Sequence, residues 1–220
     1  MKGILFDFDG TPADTMEGHY LAWRTALGEY GISIDACDYY PLEGAGMHNI
    51  SRTFIRGRPW KESEIDELVQ KKRKYNVEGQ MIAFYPGVES LVSELKAMNI
   101  PMGIVTAGHL DQLCLSVPQS FLSHFNALIT GDMVTRGKPD PEPFLKGAQS
   151  LGPIPQECIT VENAPLGIQS ARRANIYCIG VCSTVGPNKL ADADEIVIRF
   201  ADLRSSVAIK GILESRRSHA

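Results

Sequence analysis

The chain has 220 residues, of which 44% are hydrophobic and 22% are charged, and it carries a formal net charge of -4. This length is sufficient for one large domain, or for a core that carries a smaller inserted domain. The acidic balance argues against nonspecific binding to nucleic acid, which usually requires a basic surface, and no apolar run is long enough to span a membrane. We therefore expect a globular protein without nucleic-acid or membrane partners.

The N-terminus and the cysteines indicate an intracellular protein. Residues 1–6 form an apolar stretch that is too short for a secretory signal and runs directly into acidic residues. The five cysteines are an odd number with scattered spacing, which is not typical of a disulfide framework. Cys178 and Cys182 share one face of a predicted strand, but no His or Cys lies nearby in the sequence to complete a zinc site. We therefore expect reduced thiols and a cytoplasmic location.

Hydrophobic patterns divide the chain into two parts. An apolar run at 3–8 predicts a buried strand, and helical patterns follow over 14–30 and 62–79, with a loop at 41–46 between them. After residue 87, predicted strands alternate with predicted helices. The strands are predicted at 100–106, 127–130, 158–162, 177–182 and 195–198, and the helices at 88–98, 109–117, 141–151 and 166–174.

This alternation predicts an α/β fold with a doubly wound, Rossmann-like parallel sheet and right-handed crossovers. The helical block is then an insertion, so that residues 15–82 are predicted to form an all-helical cap on a core of residues 1–14 and 83–220. Because the chain would cross between core and cap twice, the cap is expected to hinge over the strand ends. The last residues, 216–220, are expected to form a frayed tail.

Two aspartates lie at the end of the first predicted strand, in the motif Asp7-Phe8-Asp9-Gly10-Thr11. Ligands of parallel sheets bind at the carboxyl ends of strands, and a loop opened by Gly10 allows both carboxylates to face one cavity. Adjacent carboxylates repel unless a cation intervenes, and Mg²⁺ is a natural cation for oxygen ligands. Asp7 is then a candidate nucleophile towards phosphorus, and Asp9 a candidate general acid and base. Taken alone, the motif also fits a calcium loop or a simple turn.

Three further motifs follow later predicted strands. The segment Thr106-Ala107-Gly108 offers a hydroxyl and backbone amides for the oxygens of a phosphoryl group, and Gly10 belongs to the same predicted phosphate-binding set. Lys138 precedes a predicted helix and offers a fixed positive charge. Glu162 and Asn163 end another strand with oxygens that suit a metal shell.

This ordered set of motifs resembles the haloacid dehalogenase-like hydrolases, and within them the branch of beta-phosphoglucomutase and phosphoglycolate phosphatase. The similarity spans nearly the whole chain. It implies that Asp7 is the nucleophile and a metal ligand, and that Asp9 is the general acid and base and binds metal through its backbone carbonyl. It also implies that Thr106 and Lys138 bind the phosphoryl group.

The acidic metal site implied by the resemblance falls on Glu162 and Asn163, with Mg²⁺ as the cofactor, and here the chain departs from the family. The commonest last motif of this branch is Glu followed by Asp, and that Asp is a direct magnesium ligand. Asn163 offers a carbonyl oxygen without charge, so weaker metal binding, or a larger share for Glu162, is expected. In this resemblance Asp9 also distinguishes phosphate-ester chemistry from dehalogenation. The dehalogenases of the superfamily lack this second acid and need no metal, so the presence of Asp9 favours a phosphate ester as substrate.

The start of the predicted cap is similar to the cap entrance of beta-phosphoglucomutases. The residues that correspond there to His19 and Trp23 line the space over the active site. The two are four residues apart and share a helix face, so both are candidates for substrate contacts. The alternative, that Trp23 belongs to the cap core and His19 is merely exposed, is equally open.

A mutase of this family grips a second phosphate with an Arg that aligns with Met47 in this chain. Four basic residues are candidates to replace it, and Lys72 is the best placed by resemblance, although a basic run on a helix is often only a solvated face. The four are Arg52, Arg56, Lys71 and Lys72.

These features predict a magnesium-dependent phosphatase that hydrolyses a small phosphorylated metabolite through an aspartyl phosphate. A mutase similar to beta-phosphoglucomutase is the alternative, which Met47 weakens. A noncatalytic phosphate-binding regulator is a distant third, since such a protein should have lost Asp7 or Asp9. The expected partner is a small-molecule phosphate ester, and the oligomeric state is open, with a monomer favoured.

Overall fold

The computed structural model describes residues 1–57, 59–77 and 82–217. Six parallel strands form one sheet in the order β3-β2-β1-β4-β5-β6. The predicted doubly wound α/β fold is therefore confirmed. The strands are β1 Gly3–Phe6, β2 Met102–Val105, β3 Ala127–Ile129, β4 Cys158–Glu162, β5 Tyr177–Val181 and β6 Glu195–Val197.

The helices fall into two groups, one between β1 and residue 82 and one in the rest of the chain. In the first part of the chain they are α1 Met16–Gly28, α2 Ala36–Tyr39, α3 Met47–Phe54 and α4 Glu62–Val77. In the remainder they are α5 Val88–Ala97, α6 Leu110–Ser116, α7 Gln119–Leu122, α8 Glu142–Leu151, α9 Pro165–Arg173 and α10 Val207–Arg217. Short 3-10 turns cover Tyr40–Leu42, Gly131–Met133, Pro155–Glu157, Pro187–Lys189 and Phe200–Ser205.

Several element boundaries differ from the prediction. Strand β1 ends at Phe6, so that both aspartates of the first motif follow the strand. Helix α1 begins at Met16, because the hydroxyl of Thr15 is bound to Asp9 and the chain before it forms a short bridge. Helices α2, α3, α7 and α10 were not predicted. A frayed tail was expected from residue 216, but α10 continues to Arg217, so the expectation is wrong for residues 216 and 217. Residues 78–79 of the helix predicted at 62–79, and residues 218–220 of the tail, lie outside the described residues.

The sheet is covered on both faces, and β1 at its centre is fully buried. Side chains alternate across the strand, so Ile4 and Phe6 pack in the cluster that includes α5 and α10, while Leu5 packs with Phe144 of α8 on the other face. A separate apolar cluster lies among α1, α3 and α4, with Trp23 at 1% exposure in it. The central position of β1 brings Asp7 between the ends of β2 and β4.

The chain enters and leaves the helical block at adjacent points. The backbone N–H of Asp14 donates to the carbonyl of Ala83 at 2.8 Å, and that of Tyr85 donates to Pro12 at 3.0 Å. On this packing we propose the division into a core of 1–14 and 83–220 and a cap of 15–82. Among the described residues, none of the helices combines the length and apolarity needed to cross a bilayer.

Candidate active site

The polar side chains of the four motifs meet at the carboxyl edge of the sheet. Phe6 is in register with Ile104 of β2 on one side and with Val161 of β4 on the other. Asp7, Thr106 and Glu162 therefore stand at the ends of three adjacent strands, as the carboxyl ends of parallel strands share one edge.

Gly10 turns the chain directly after the two aspartates. Its φ is +80°, a left-handed conformation that favours glycine, and a Cβ on it would stand 2.3 Å from Nδ2 of Asn163. Glycine is thus required both by the backbone angle and by the close approach of Asn163. The turn carries Asp9 back over the strand ends.

A buried ion-pair cluster joins three of the motifs. Nζ of Lys138 lies 2.5 Å from Oδ1 of Asp7 and 3.1 Å from Oε1 of Glu162, and it donates a third bond to the carbonyl of Val105. The side chains of Asp7, Lys138 and Glu162 are 7%, 2% and 0% exposed. Burial opposes the charge on Lys138, but the two carboxylates outweigh burial and raise its pKa. One lysine thus faces two acids.

Burial raises the pKa of both acids in this cluster, and the charge of Lys138 only partly opposes it. Oε2 of Glu162 is buried and has no hydrogen-bond partner. A Cβ on Gly167 would lie 2.1 Å from the carboxyl carbon of Glu162, so this carboxylate rests against the backbone of α9. Glu162, predicted as a metal ligand, is placed beside Lys138, where its contact orients the lysine towards Asp7.

Asp9 connects the core to the first helix of the cap. Its Oδ1 accepts from Thr15 at 2.8 Å and lies 3.2 Å from Nε2 of His19, and its Oδ2 accepts from Thr106 at 3.3 Å. Although burial opposes ionisation, His19 and Thr15 lower the pKa of Asp9 to about 2. The carboxylate form of Asp9 is therefore the stable one near neutral pH.

His19 is bonded on both sides, since Nζ of Lys72 lies 2.7 Å from its Nδ1. An ammonium can only donate, so Nδ1 accepts, and Nε2 carries the hydrogen that is donated to Asp9. Burial first, and then the charge of Lys72, lower the pKa of His19, which agrees with this neutral tautomer. Burial likewise lowers the pKa of Lys72 to about 8.

Asn163 is held by partners from three parts of the chain. Its Oδ1 accepts from Thr11 at 3.0 Å, and its Nδ2 donates to Oε2 of Glu43 at 2.8 Å and to Thr184 at 3.1 Å. The Thr184 hydroxyl also donates to Oε2 of Glu43, at 2.8 Å. The side chain of Asn163 is thus fully engaged, with its amide group facing a carboxylate.

Glu43 is a residue that the sequence analysis missed. It is 2% exposed, and burial together with the charges of Asp7 and Glu162 raises its pKa to about 8, against the effect of the Thr184 hydrogen bond. An acidic residue in a predicted loop is usually solvated, and its partners are 120 and 141 positions away, so the sequence offers no local signal for its burial.

A cavity lies between the strand ends and the helices of the cap. Lys72 borders it, whereas Arg52 and Lys71 form surface ion pairs with Glu62 and with Glu29. Met47 also borders it, so an apolar side chain stands where the mutase resemblance places an Arg. The lining includes Asp7, Asp9, Met16, His19, Trp23, Tyr39, Glu43, Met47, Ile50, Lys72, Thr106, Ala107 and Gly108.

The donor atoms of the site suit a hard divalent cation. The described residues contain no group of three His, Cys, Asp or Glu placed closely enough to hold a metal ion by themselves. Amide and backbone oxygens would therefore have to complete a shell begun by Asp7. The site contains more acidic side chains than lysines, and one buried oxygen each on Glu43 and Glu162 has no hydrogen-bond partner. A bound cation would compensate this negative charge.

Comparisons with known proteins place this chain in a family. A sequence profile of the haloacid dehalogenase-like hydrolases matches residues 4–181. The chain is 31% identical over 217 residues to validoxylamine A 7'-phosphate phosphatase of Streptomyces hygroscopicus subsp. limoneus, with 92% of this chain and 96% of that protein covered. It is also 31% identical over 199 residues to hexitol phosphatase A of Escherichia coli, with coverages of 89% and 90%.

Solved structures also resemble this fold. A beta-phosphoglucomutase from Clostridium difficile superposes with a TM-score of 0.83 at 27% identity, and 100% of this chain and 98% of that one are covered. The chain therefore belongs to the haloacid dehalogenase-like hydrolase family, as an enzyme of its phosphatase and phosphomutase group.

Proposed function

We propose that this enzyme is a magnesium-dependent phosphatase, which hydrolyses the phosphate ester of a small metabolite through an aspartyl phosphate on Asp7. The observation that carries the proposal is the position of the Asp7 carboxylate. It borders the cavity, contacts the Lys138 ammonium at 2.5 Å, and follows the central strand next to Thr106 and Asp9. This arrangement supports a nucleophile and a second acid in one cavity, with the ammonium of Lys138 in contact with the nucleophile.

In the first step, the Asp7 carboxylate forms a bond to phosphorus while the bond from phosphorus to the ester oxygen breaks. Asp9 gives a proton to the leaving oxygen, which departs as an alcohol. In the second step, water attacks phosphorus, the bond to Asp7 breaks, and Asp9 takes up a proton from that water. Without substrate Asp9 is a carboxylate, so it takes up a proton from solvent as the anionic ester binds beside it, and the proton gained from water in the second step restores this acid form.

The residues that would hold Mg²⁺ are the Asp7 carboxylate, the backbone carbonyl of Asp9 and the amide oxygen of Asn163. The ion would offset the negative charge shared by Asp7 and the phosphoryl oxygens. Lys138 supplies a further positive charge from the protein, and its bond to Glu162 keeps it pointed at Asp7. We propose that Glu162 acts mainly through Lys138 and contributes less to the metal shell than its sequence position implies.

The cap side of the cavity supports a phosphatase over a mutase. A mutase has to hold a second phosphate, and Met47 and Ile50 line the cavity with apolar groups, while Lys72 is bonded to His19. The relatives named above act on a validoxylamine phosphate and a hexitol phosphate by their names, which supports a polyhydroxylated monophosphate as substrate. The likeness to a beta-phosphoglucomutase over the whole chain keeps a sugar-phosphate mutase as the second candidate.

The test is phosphate release from a panel of sugar, polyol and nucleotide phosphates, with Mg²⁺ and with EDTA. We expect release that requires Mg²⁺, and abolition of turnover in Asp7→Asn. Asp111→Asn, an exposed position on α6, is the matched control and should keep wild-type activity. Turnover in EDTA, or by Asp7→Asn, contradicts the proposal; isomerisation that depends on a bisphosphate primer would replace it with the mutase.

A further inference from the structure

Glu43 reaches from the cap into the core, next to a residue proposed for the metal site. It follows the 3-10 turn Tyr40–Leu42, and its Oε2 accepts hydrogen bonds from Asn163 and Thr184, both at 2.8 Å. The other oxygen, Oε1, is buried and has no partner. A carboxylate that is held by one oxygen and unpartnered at the other has room for one more strong interaction.

The backbone beside Glu43 keeps this carboxylate against the core. Gly44 has a φ of +80°, and a Cβ on it would be 3.5 Å from Cδ of Lys138 and 3.8 Å from the backbone nitrogen of Gly167. The loop after Glu43 thus lies directly on the side chain that contacts Asp7. The position of Glu43 is set by packing as well as by its hydrogen bonds.

The amide at position 163 gives this contact a hydrogen-bond donor. The Asn163 amide group donates to Oε2 of Glu43 at 2.8 Å, whereas an aspartate would place two carboxyl oxygens there, which need a proton or a cation between them. Asn163 and Glu43 are therefore matched in charge. A carboxyl group of the cap thus contacts the residue that stands where the family motif has an aspartate.

We propose that Glu43 belongs to the divalent-cation site of this enzyme and supplies, from the cap, the negative charge that Asn163 lacks. The inference rests on the proposed metal dependence. Hard cations bind carboxylate oxygens, and Oε1 of Glu43 is such an oxygen, buried without a partner beside Asn163. A cation held in this way is bound by cap and core together, so metal affinity is linked to the placement of the cap on the core.

The test measures Mn²⁺ binding by electron paramagnetic resonance without substrate, so that activity plays no part. Glu43→Gln retains the acceptor for Thr184 and removes the charge, and we expect it to raise the dissociation constant at least tenfold. Glu17→Gln is the matched control, an exposed glutamate on α1, and should leave the constant unchanged.

A second variant moves the charge back to the core. The double variant Glu43→Gln/Asn163→Asp should recover wild-type affinity to within about threefold, because the charge again stands at the end of β4. At pH 9, above the pKa of Glu43, Asn163→Asp alone should lower the melting temperature of the metal-free protein, since two carboxylates then face each other, and should show a larger Mg²⁺-induced rise than wild type.

Wild-type Mn²⁺ affinity in Glu43→Gln overturns the inference, and so does a double variant as weak as Glu43→Gln. Failure of the proposed function is recognised separately, because it would appear as phosphate release that ignores EDTA in the wild-type enzyme. Circular dichroism of each variant establishes that the fold is retained. If Glu43→Gln does not fold, the metal-free melting temperature of Asn163→Asp at pH 9 decides alone, and a value at or above wild type rejects the pairing.

Discussion

Replacement of Lys138 by Met tests the buried cluster most directly. The lysine is 2% exposed and contacts Asp7 at 2.5 Å and Glu162 at 3.1 Å, so its removal leaves two buried carboxylates without a cation. Breaking a buried ion pair costs about 3–5 kcal/mol, and we expect a loss of this size in the free energy of unfolding at pH 7. For a chain of this length, the melting temperature should fall by roughly 6–20 °C.

The pH dependence of this loss follows from the two acids. Burial already raises the pKa values of Asp7 and Glu162 above their unfolded values, and removal of Lys138 raises them further, because its charge is what lowers them. The destabilisation is therefore complete above the folded-state pKa values and disappears as the pH falls below the unfolded ones, near pH 4. The difference from wild type should thus shrink between pH 7 and about pH 4.

Urea unfolding followed by circular dichroism measures both effects in the metal-free protein. The double variant Lys138→Met/Glu162→Gln should recover about 2 kcal/mol of the loss, since one uncompensated charge is removed. The exposed Lys189→Met is the control and should change stability by less than about 0.5 kcal/mol. A loss below about 1 kcal/mol, or one that is the same at both pH values, would refute the reasoning.

Two further predictions concern the contacts around this cluster and at the cap. Gly167→Ala should destabilise by about 1–3 kcal/mol in urea unfolding, because its Cβ would stand 2.1 Å from the carboxyl carbon of the buried Glu162. Gly211→Ala in α10, with open space around its Cβ, should be neutral or stabilising, and equal effects at both glycines would contradict the close contact. Lys72→Met should raise the pKa of His19, since it removes a neighbouring positive charge. Histidine ring NMR against pH measures this, and an unchanged pKa would show that burial alone sets it.

The sequence predicted the core of the fold well because its strands are short apolar runs that end in polar motifs. The run at 158–162 was placed to the residue, and each of the other strands was found within two residues of its ends. Helices α2, α3, α7 and α10 were missed. Helix α2 is only four residues long, and in α10 the mixed composition of Val207–Arg217 hides the apolar stripe formed by Ile209, Ile212 and Leu213.

Local sequence also carried the identity of the residues at the strand ends. Asp7, Thr106 and Glu162 could be assigned to one edge of the sheet because parallel strands share their carboxyl ends. Local sequence did not show which atoms each of these side chains would contact. The contact of Lys138 with Glu162, and that of His19 with Lys72, joins residues that are 24 and 53 positions apart.

The sequence by itself thus determined the parallel sheet and the polar residues at its carboxyl edge, and it predicts the chemistry that we propose for those residues. Only the tertiary structure decided how the cap meets the core: that Glu43 is buried against Asn163 and that Met47 faces the cavity. The physical reason is that strand formation depends on local hydrophobic periodicity, whereas the burial of a loop carboxylate depends on partners more than a hundred residues away. The proposed share of Glu43 in metal binding depends on this contact with Asn163, and the Mn²⁺ affinity of Glu43→Gln tests it.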